Sequence, residues 1–238
     1  MDKQKKGKLY LIPTLLSENS TNKLLTPQLQ EVVRSVDYYL VENIRTARRF
    51  ISSLKLGITI EDLGFGLLDK NTKHEQISDL CDPLLKGKDI GVMSEAGCPG
   101  IADPGNFAVR FAHRNEIEVI PLVGPSSIFM SLMASGLNGQ AFAFHGYLPI
   151  DKQKRIQAIK SIERDSIKHK QTQIIMETPF RNNHLLTDIL RSCRSSTSVC
   201  IAKDITGSDE FIKTTTVQQW RKTKIDLHKI PCVFLLYS

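Results

Sequence analysis

The sequence predicts an α/β protein with a mainly parallel N-terminal sheet and a second α/β unit in its C-terminal half. Three observations carry this. Short apolar runs alternate with amphipathic helical stretches, the order expected of parallel strands joined by helical crossovers. The runs Leu9–Ile12 and Ile90–Met93 lead into segments holding Pro or Gly that cannot continue a regular strand. The 238 residues are 41% hydrophobic, enough for one large domain or two small ones.

In chain order, Leu9-Tyr-Leu-Ile12 is an apolar run stopped by Pro13 and reads as a buried strand. Leu15 to Pro27 reads as a loop. Pro27 suits a helical first turn and opens a helix to Arg34. Tyr38-Tyr-Leu-Val41 is a second strand, Thr46 to Leu54 a helix, and Ile58-Thr-Ile60 a weak strand. Gly64-Phe-Gly66 reads as a turn. Ile77 to Leu85 is an amphipathic helix closed by Lys86-Gly87, and Ile90-Gly-Val-Met93 is the next strand. A helix over Asn106 to Arg114 leads to the strand Val119-Ile-Pro-Leu-Val123, and a helix over Ile128 to Ala134 to the strand Ala141-Phe-Ala-Phe144. A helix spans Asp151 to Lys170. Strands at Gln173–Met176, Ser198–Ala202 and Val233–Tyr237, with a helix over Arg181 to Arg191, complete the second unit. The boundary is expected near residues 121–127, dividing the chain into 1–122 and 123–238.

The most informative segment is Met93-Ser-Glu-Ala-Gly-Cys-Pro-Gly-Ile-Ala-Asp-Pro-Gly105. Its three glycines and two prolines rule out a regular helix or strand. It follows a strand, and ligands of α/β proteins bind at the carboxyl ends of strands. Gly124-Pro-Ser-Ser127 also follows a strand and opens a helix. Ser126 or Ser127 can serve as a plain N-cap there, or the free amides can bind acceptor groups.

Composition limits the function classes. No run approaches the roughly 18 apolar residues of a membrane span, and the polar start Met1 to Lys8 lacks the apolar core of a signal peptide. The five cysteines are widely spaced, with no Cys-x-x-Cys pair and no His/Asp/Glu spacing for a metal. A cytoplasmic location follows as the expectation. The net charge of +7 favours a polyanionic partner such as RNA. Asp151 to Lys170 holds seven Lys/Arg against three Asp/Glu. That segment is either a solvated helix face or an RNA-facing ridge.

Several motifs, in order, resemble the tetrapyrrole methylase superfamily of S-adenosylmethionine-dependent methyltransferases. They are Lys8-Leu-Tyr-Leu-Ile-Pro-Thr14, Val41-Glu-Asn-Ile-Arg-Thr-Ala-Arg48, Ser94-Glu-Ala-Gly-Cys-Pro-Gly-Ile-Ala-Asp-Pro-Gly105, Ile120-Pro-Leu-Val-Gly-Pro-Ser-Ser127, Ala134-Ser-Gly-Leu137 and Phe142-Ala-Phe-His-Gly-Tyr-Leu-Pro149. Within the superfamily, the branch that 2′-O-methylates a cytidine of small-subunit ribosomal RNA is the most similar. The resemblance implies two α/β domains with S-adenosylmethionine in the cleft between them, a homodimer and an RNA substrate. It implies cofactor contacts at Ser94, Glu95, Ala96, Gly97 and Pro99, at Gly124, Pro125, Ser126 and Ser127, and at Met176 and Ala202. Pro13, Thr14, Glu42, Arg45 and Arg48 are the expected substrate-facing positions.

The cofactor-side motifs are largely kept, while the substrate-side ones drift. The usual Pro-Thr-Pro-Ile-Gly-Asn-Leu is Pro13-Thr-Leu-Leu-Ser-Glu-Asn19 here, and Glu-Asp-Thr-Arg is Glu42-Asn-Ile-Arg45. The loop aspartate is Glu95, Tyr-Glu-Ser-Pro-His-Arg is Met176-Glu-Thr-Pro-Phe-Arg181, and a lysine is replaced by Gly207. A ribose hydroxyl needs a base within hydrogen-bond reach. Glu177 and Asp204, just after strands, are candidates, and Lys203 can position a phosphate; all three also suit structural roles. Arg45, Arg48 and Arg49 are either phosphate contacts or a solvated face, and His145 reads as a structural histidine. Methylation of a small tetrapyrrole-like molecule, or a non-catalytic paralogue that binds cofactor or RNA, are the alternatives.

Overall fold

A computed structural model describes residues 5–17, 20 and 26–238. Glu18 and Asn19 of the loop after the first strand, and the start of the basic N-terminus, lie outside the described residues. The chain divides into two compact units, one ending at Ser126 and one running from Ser127 to Ser238.

The first unit is a five-stranded sheet in the order β3-β2-β4-β1-β5, parallel throughout. Its strands are β1 (Leu9–Leu11), β2 (Tyr38–Val41), β3 (Gly64–Leu67), β4 (Ile90–Met93) and β5 (Val119–Pro121). Helices α1 (Pro27–Ser35), α2 (Ile44–Ser53), α3 (Gln76–Leu85) and α4 (Gly105–Arg114) connect them. Successive strand residues point to opposite faces. Tyr39, Val41 and Met93 therefore pack with α1 and α2, while Leu9, Leu40, Ile90 and Val92 pack with α3 and α4. Gly91 lies on the first of these faces. A Cβ there would meet Ile12 Cδ1 at 2.7 Å and the Tyr39 ring at 2.8 Å, so the central strand carries no side chain at that point.

Two sequence expectations are corrected. The strand expected at Ile58–Ile60 is absent; Ile60–Asp62 forms a 3-10 turn. The edge strand is instead Gly64–Leu67, the segment read as a turn, paired in parallel with Tyr38–Val41. Its glycines answer the close approach of β2 and α3: a Cβ on Gly66 would lie 2.5 Å from the Tyr38 hydroxyl and 2.8 Å from Leu80.

The second unit is a mixed sheet in the order β6-β7-β10-β8-β9. Strands β6 (Phe142–Tyr147) and β7 (Thr172–Glu177) are parallel. β8 (Ser198–Lys203), β9 (Phe211–Thr216) and β10 (Cys232–Tyr237) make the antiparallel pairings β7–β10, β10–β8 and β8–β9. β9 went unrecognised in the sequence, because Phe211-Ile-Lys-Thr-Thr-Thr216 has little apolar content and serves as a half-buried edge. Helix α5 (Ser127–Ser135) opens the unit, followed by α6 (Lys152–His169), α7 (Asn182–Ser192) and the single turn α8 (Val217–Trp220).

Helix α6 is not uniformly a charged surface. Arg155 is buried and donates from Nε and Nη2 to Asp188 Oδ2 of α7, at 2.8 and 2.6 Å. Glu163 is also buried and accepts from the Arg194 amide (2.8 Å) and the Thr197 hydroxyl. Arg155 therefore belongs neither to a solvated face nor to a basic ridge, because its charge is paired in the core. Breaking such a pair strands a buried charge. Asp188→Ala is expected to lower unfolding free energy by about 3–5 kcal/mol, read from urea denaturation midpoints.

Candidate functional site at the carboxyl end of β4

Strand β4 lies between β2 and β1. The helices that follow β1 and β2 cover one face of the sheet; the helix that follows β4 covers the other. The chain must diverge at the carboxyl end of β4, and a crevice opens there. A cavity of about 380 Å³ occupies this place, within the range of small-molecule sites. It is lined by the ends of β1, β2 and β4 and by one stripe of α2: Thr46, Arg49, Phe50 and Ser53.

The loop after β4 is held by its own backbone. The Thr14 amide donates to Gly97 O at 2.9 Å, and the Thr14 hydroxyl to Ser94 O at 3.2 Å. The Ser94 hydroxyl lies 3.2 Å from Ala96 O. Gly97 has φ +73°, which favours glycine; a Cβ there would sit 3.0 Å from Leu16 Cδ2 and 3.3 Å from Pro125 O. Asp103 accepts from the Gly100 amide at 2.8 Å and the Gly105 amide at 2.7 Å, closing the loop onto the start of α4. The Cys98 thiol reaches Pro125 O at 3.3 Å, which brings Gly124-Pro125 beside the loop.

Carboxylates converge here. Glu42 Oε1 accepts from the Glu95 amide at 3.1 Å, and Glu95 Oε2 from the Thr46 hydroxyl at 3.3 Å. Burial pushes the Glu42 carboxyl above its usual range; the Glu95 amide opposes this, and Asp103, Glu95 and Asp69 add to the rise. Asp103 is also raised, chiefly by burial. Asn43 caps α2, its Oδ1 accepting from the Arg45 and Thr46 amides. The exchange of aspartate for asparagine there keeps the cap and removes one negative charge from this acidic cluster.

Of the residues singled out in the sequence, Thr14, Glu42, Ser94, Glu95 and Ala96 line the cavity together. Gly97 lies within the loop with Pro125 beside it, and Pro13 is buried next to Thr14. Arg45 is exposed, and Arg48 lies 5.3 Å over the Phe65 ring; neither lines the cavity, whereas Arg49 does. Thr46, Arg49, Phe50 and Ser53 share one helical stripe, and only the packing of α2 turns that stripe rather than another toward the cavity.

In the second unit, Met176 and Ala202 both pair with Val233 from opposite sides of β10. Glu177 is buried and ion-paired with Arg181 at 2.5 Å; all its hydrogen bonds fall on Oε1, and Oε2 has no partner among the described residues. Asp204 follows Lys203 at the end of β8 with φ +47° and accepts from the Asp209 amide. A Cβ on Gly207 would lie 2.1 Å from that carboxylate. The aspartate therefore fills the space a side chain at 207 would need. His145 Nε2 contacts Gln173 Oε1 at 2.6 Å, a structural partner. No group of three or more His, Cys, Asp or Glu able to hold a metal occurs among the described residues.

The fold matches known methyltransferase structures. The methyltransferase CobJ superposes with a TM-score of 0.65 at 14% identity, covering 98% of this chain and 94% of that one. Uroporphyrin-III C-methyl transferase from Thermus thermophilus, complexed with S-adenosylhomocysteine, gives 0.57 at 16% identity and 98% of both chains. The protein thus has a tetrapyrrole methylase fold. No protein-family model matches the chain. Ribosomal RNA small subunit methyltransferase I of Buchnera aphidicola subsp. Schizaphis graminum is 30% identical over 222 residues, 92% of this chain and 73% of that protein. The Vibrio cholerae protein of the same name is 30% identical over 205 residues, 86% and 67%. The chain belongs to the ribosomal RNA small subunit methyltransferase I family.

The raised Glu42 pKa has a consequence for stability. The unfolded chain releases this proton first, so Glu42 costs stability as pH rises from about 4.5 through the higher folded value. Glu42→Gln keeps the acceptor for the Glu95 amide and removes the charge. Its urea midpoint relative to wild type is expected to rise between pH 4 and neutrality; a constant difference would contradict the assignment.

Proposed function

We propose that the protein methylates the 2′-hydroxyl of a small-subunit ribosomal RNA nucleotide with S-adenosylmethionine as donor, acting in the cytoplasm as a homodimer. The observation that supports this most is family membership over most of the chain, joined to a crevice at the carboxyl end of β4 lined by the motifs of that family.

The residues present fit the donor. Gly97 keeps a backbone surface clear of side chain at the loop, and a Cβ there would crowd Leu16 and Pro125. Glu42 and Glu95 give the crevice an acidic character suited to a cation. We assign donor contacts to the loop Ser94–Pro99 and to Gly124–Ser127, with Met176 and Ala202 as the second unit's candidates. When bound, S-adenosylmethionine supplies an electrophilic methyl on a sulfonium whose positive charge disappears on transfer.

The protein's own task is to position a hydroxyl in line with that methyl and to take its proton. Glu42 combines cavity lining with raised proton affinity, while Glu177 is engaged by Arg181. Glu42 is therefore the favoured proton acceptor, with Oε2 available while Oε1 holds the Glu95 amide. Arg49 at the cavity wall suits a phosphate.

Two measurements test this reading. Purified protein, small ribosomal subunits lacking the modification and methyl-labelled donor are expected to yield labelled 2′-O-methylcytidine after nuclease digestion. A methylated base, or no RNA product, overturns the assignment. Gly97→Trp is expected to abolish S-adenosylhomocysteine binding seen by calorimetry for the wild type. Glu42→Gln is expected to retain that binding and to lower the single-turnover rate about 10²–10⁴-fold, the usual contribution of a proton acceptor.

A further inference from the structure

The formal charge is unevenly divided. Up to Ser126 the sequence has sixteen Lys/Arg and sixteen Asp/Glu; from Ser127 it has sixteen against nine. The net +7 therefore belongs to the second unit. Within it, acids are drawn inward. Asp188 is buried against Arg155, Glu163 is buried against Arg194 and Thr197, and Glu177 is buried against Arg181.

Helix α6 shows the result. Its inward face carries Arg155, Ile159, Ile162, Glu163 and Ser166. Its outward face carries Lys160, Arg164 and Lys168, each exposed and spaced four residues apart. Eight residues of helix set the outer two about 12 Å apart along one line. None of the three makes an ion pair among the described residues. Arg194, whose amide is held by Glu163, is also exposed.

We infer that the Lys160–Arg164–Lys168 face of α6 is a binding surface for the phosphate backbone of single-stranded RNA. A line of unpaired cations on a rigid helix suits successive phosphates and reads no sequence. Ile159 and Ile162 are buried in the core and Ile156 and Ile167 are partly buried, so the helix offers no broad apolar face for insertion into an anionic membrane. The inference deepens the proposed function and rests on its RNA substrate.

The test compares wild type with Lys160→Glu/Arg164→Glu/Lys168→Glu, and with Lys55→Glu as an exposed control in the first unit. Binding of a fluorescein-labelled single-stranded RNA is followed by anisotropy over a range of salt. The triple variant is expected to bind at least about tenfold more weakly, with the slope of log K against log salt reduced by about 2, while Lys55→Glu changes little. S-adenosylhomocysteine affinity and thermal midpoint should stay at wild-type values, which separates a lost surface from a lost fold. A wild type that binds RNA and a folded triple variant within twofold of it overturn the inference and leave the proposed function standing. Equal binding of wild type to phosphatidylserine vesicles, lost in the triple variant, also overturns it in favour of a lipid surface. A wild type with no RNA affinity overturns both.

Discussion

The first unit depends on one topological constraint: β4 must lie between two strands whose following helices cover the opposite face from its own. The chain cannot continue straight from β4, and the space it vacates is the crevice. Packing makes this arrangement tight. Gly91 lets Ile12 and Tyr39 close over the middle of β4, and the Thr14–Gly97 bridge ties the emerging loop back to the end of β1. The crevice is thus a consequence of strand order, and Ser94, Glu95 and Ala96 at the start of the loop form one of its walls.

Electrostatics then give the crevice its chemistry. Two carboxylates, Glu42 and Glu95, share it, with Asp103 behind the loop. Burial, with a smaller contribution from neighbouring carboxylates, raises the proton affinity of Glu42, while the amides of Glu95, Gly100 and Gly105 hold the cluster. Asn43 caps α2 without adding a charge to an already acidic site.

The second unit solves a different electrostatic problem. It carries the whole net charge of the chain, yet several of its acids are used inside. The Arg155–Asp188 pair and the Glu163 hydrogen bonds join α6, α7 and the following loop beneath the surface. The same choice that stabilises the packing leaves the exterior basic. Gly207 follows a similar logic on a smaller scale, because the Asp204 carboxylate occupies the volume beside it.

The sequence by itself determined the α/β class, most of the strands and helices, and the loop after β4. Those signals are local: apolar runs of strand length, amphipathic helical spacing, and Gly and Pro at loop positions. It also carried the family, because the motifs around the crevice survive in order. It did not reveal β3 or β9. Gly64-Phe-Gly-Leu67 is a strand only because Tyr38–Val41 pairs with it, and Phe211–Thr216 only because β8 does. Nor could it separate Arg49 from Arg45 and Arg48, or Arg155 from Lys160. Each set is alike in charge and neighbourhood along the chain. Which arginine faces a cavity, lies over a ring or pairs with a buried aspartate is decided by helix rotation against the sheet, a property of tertiary packing alone.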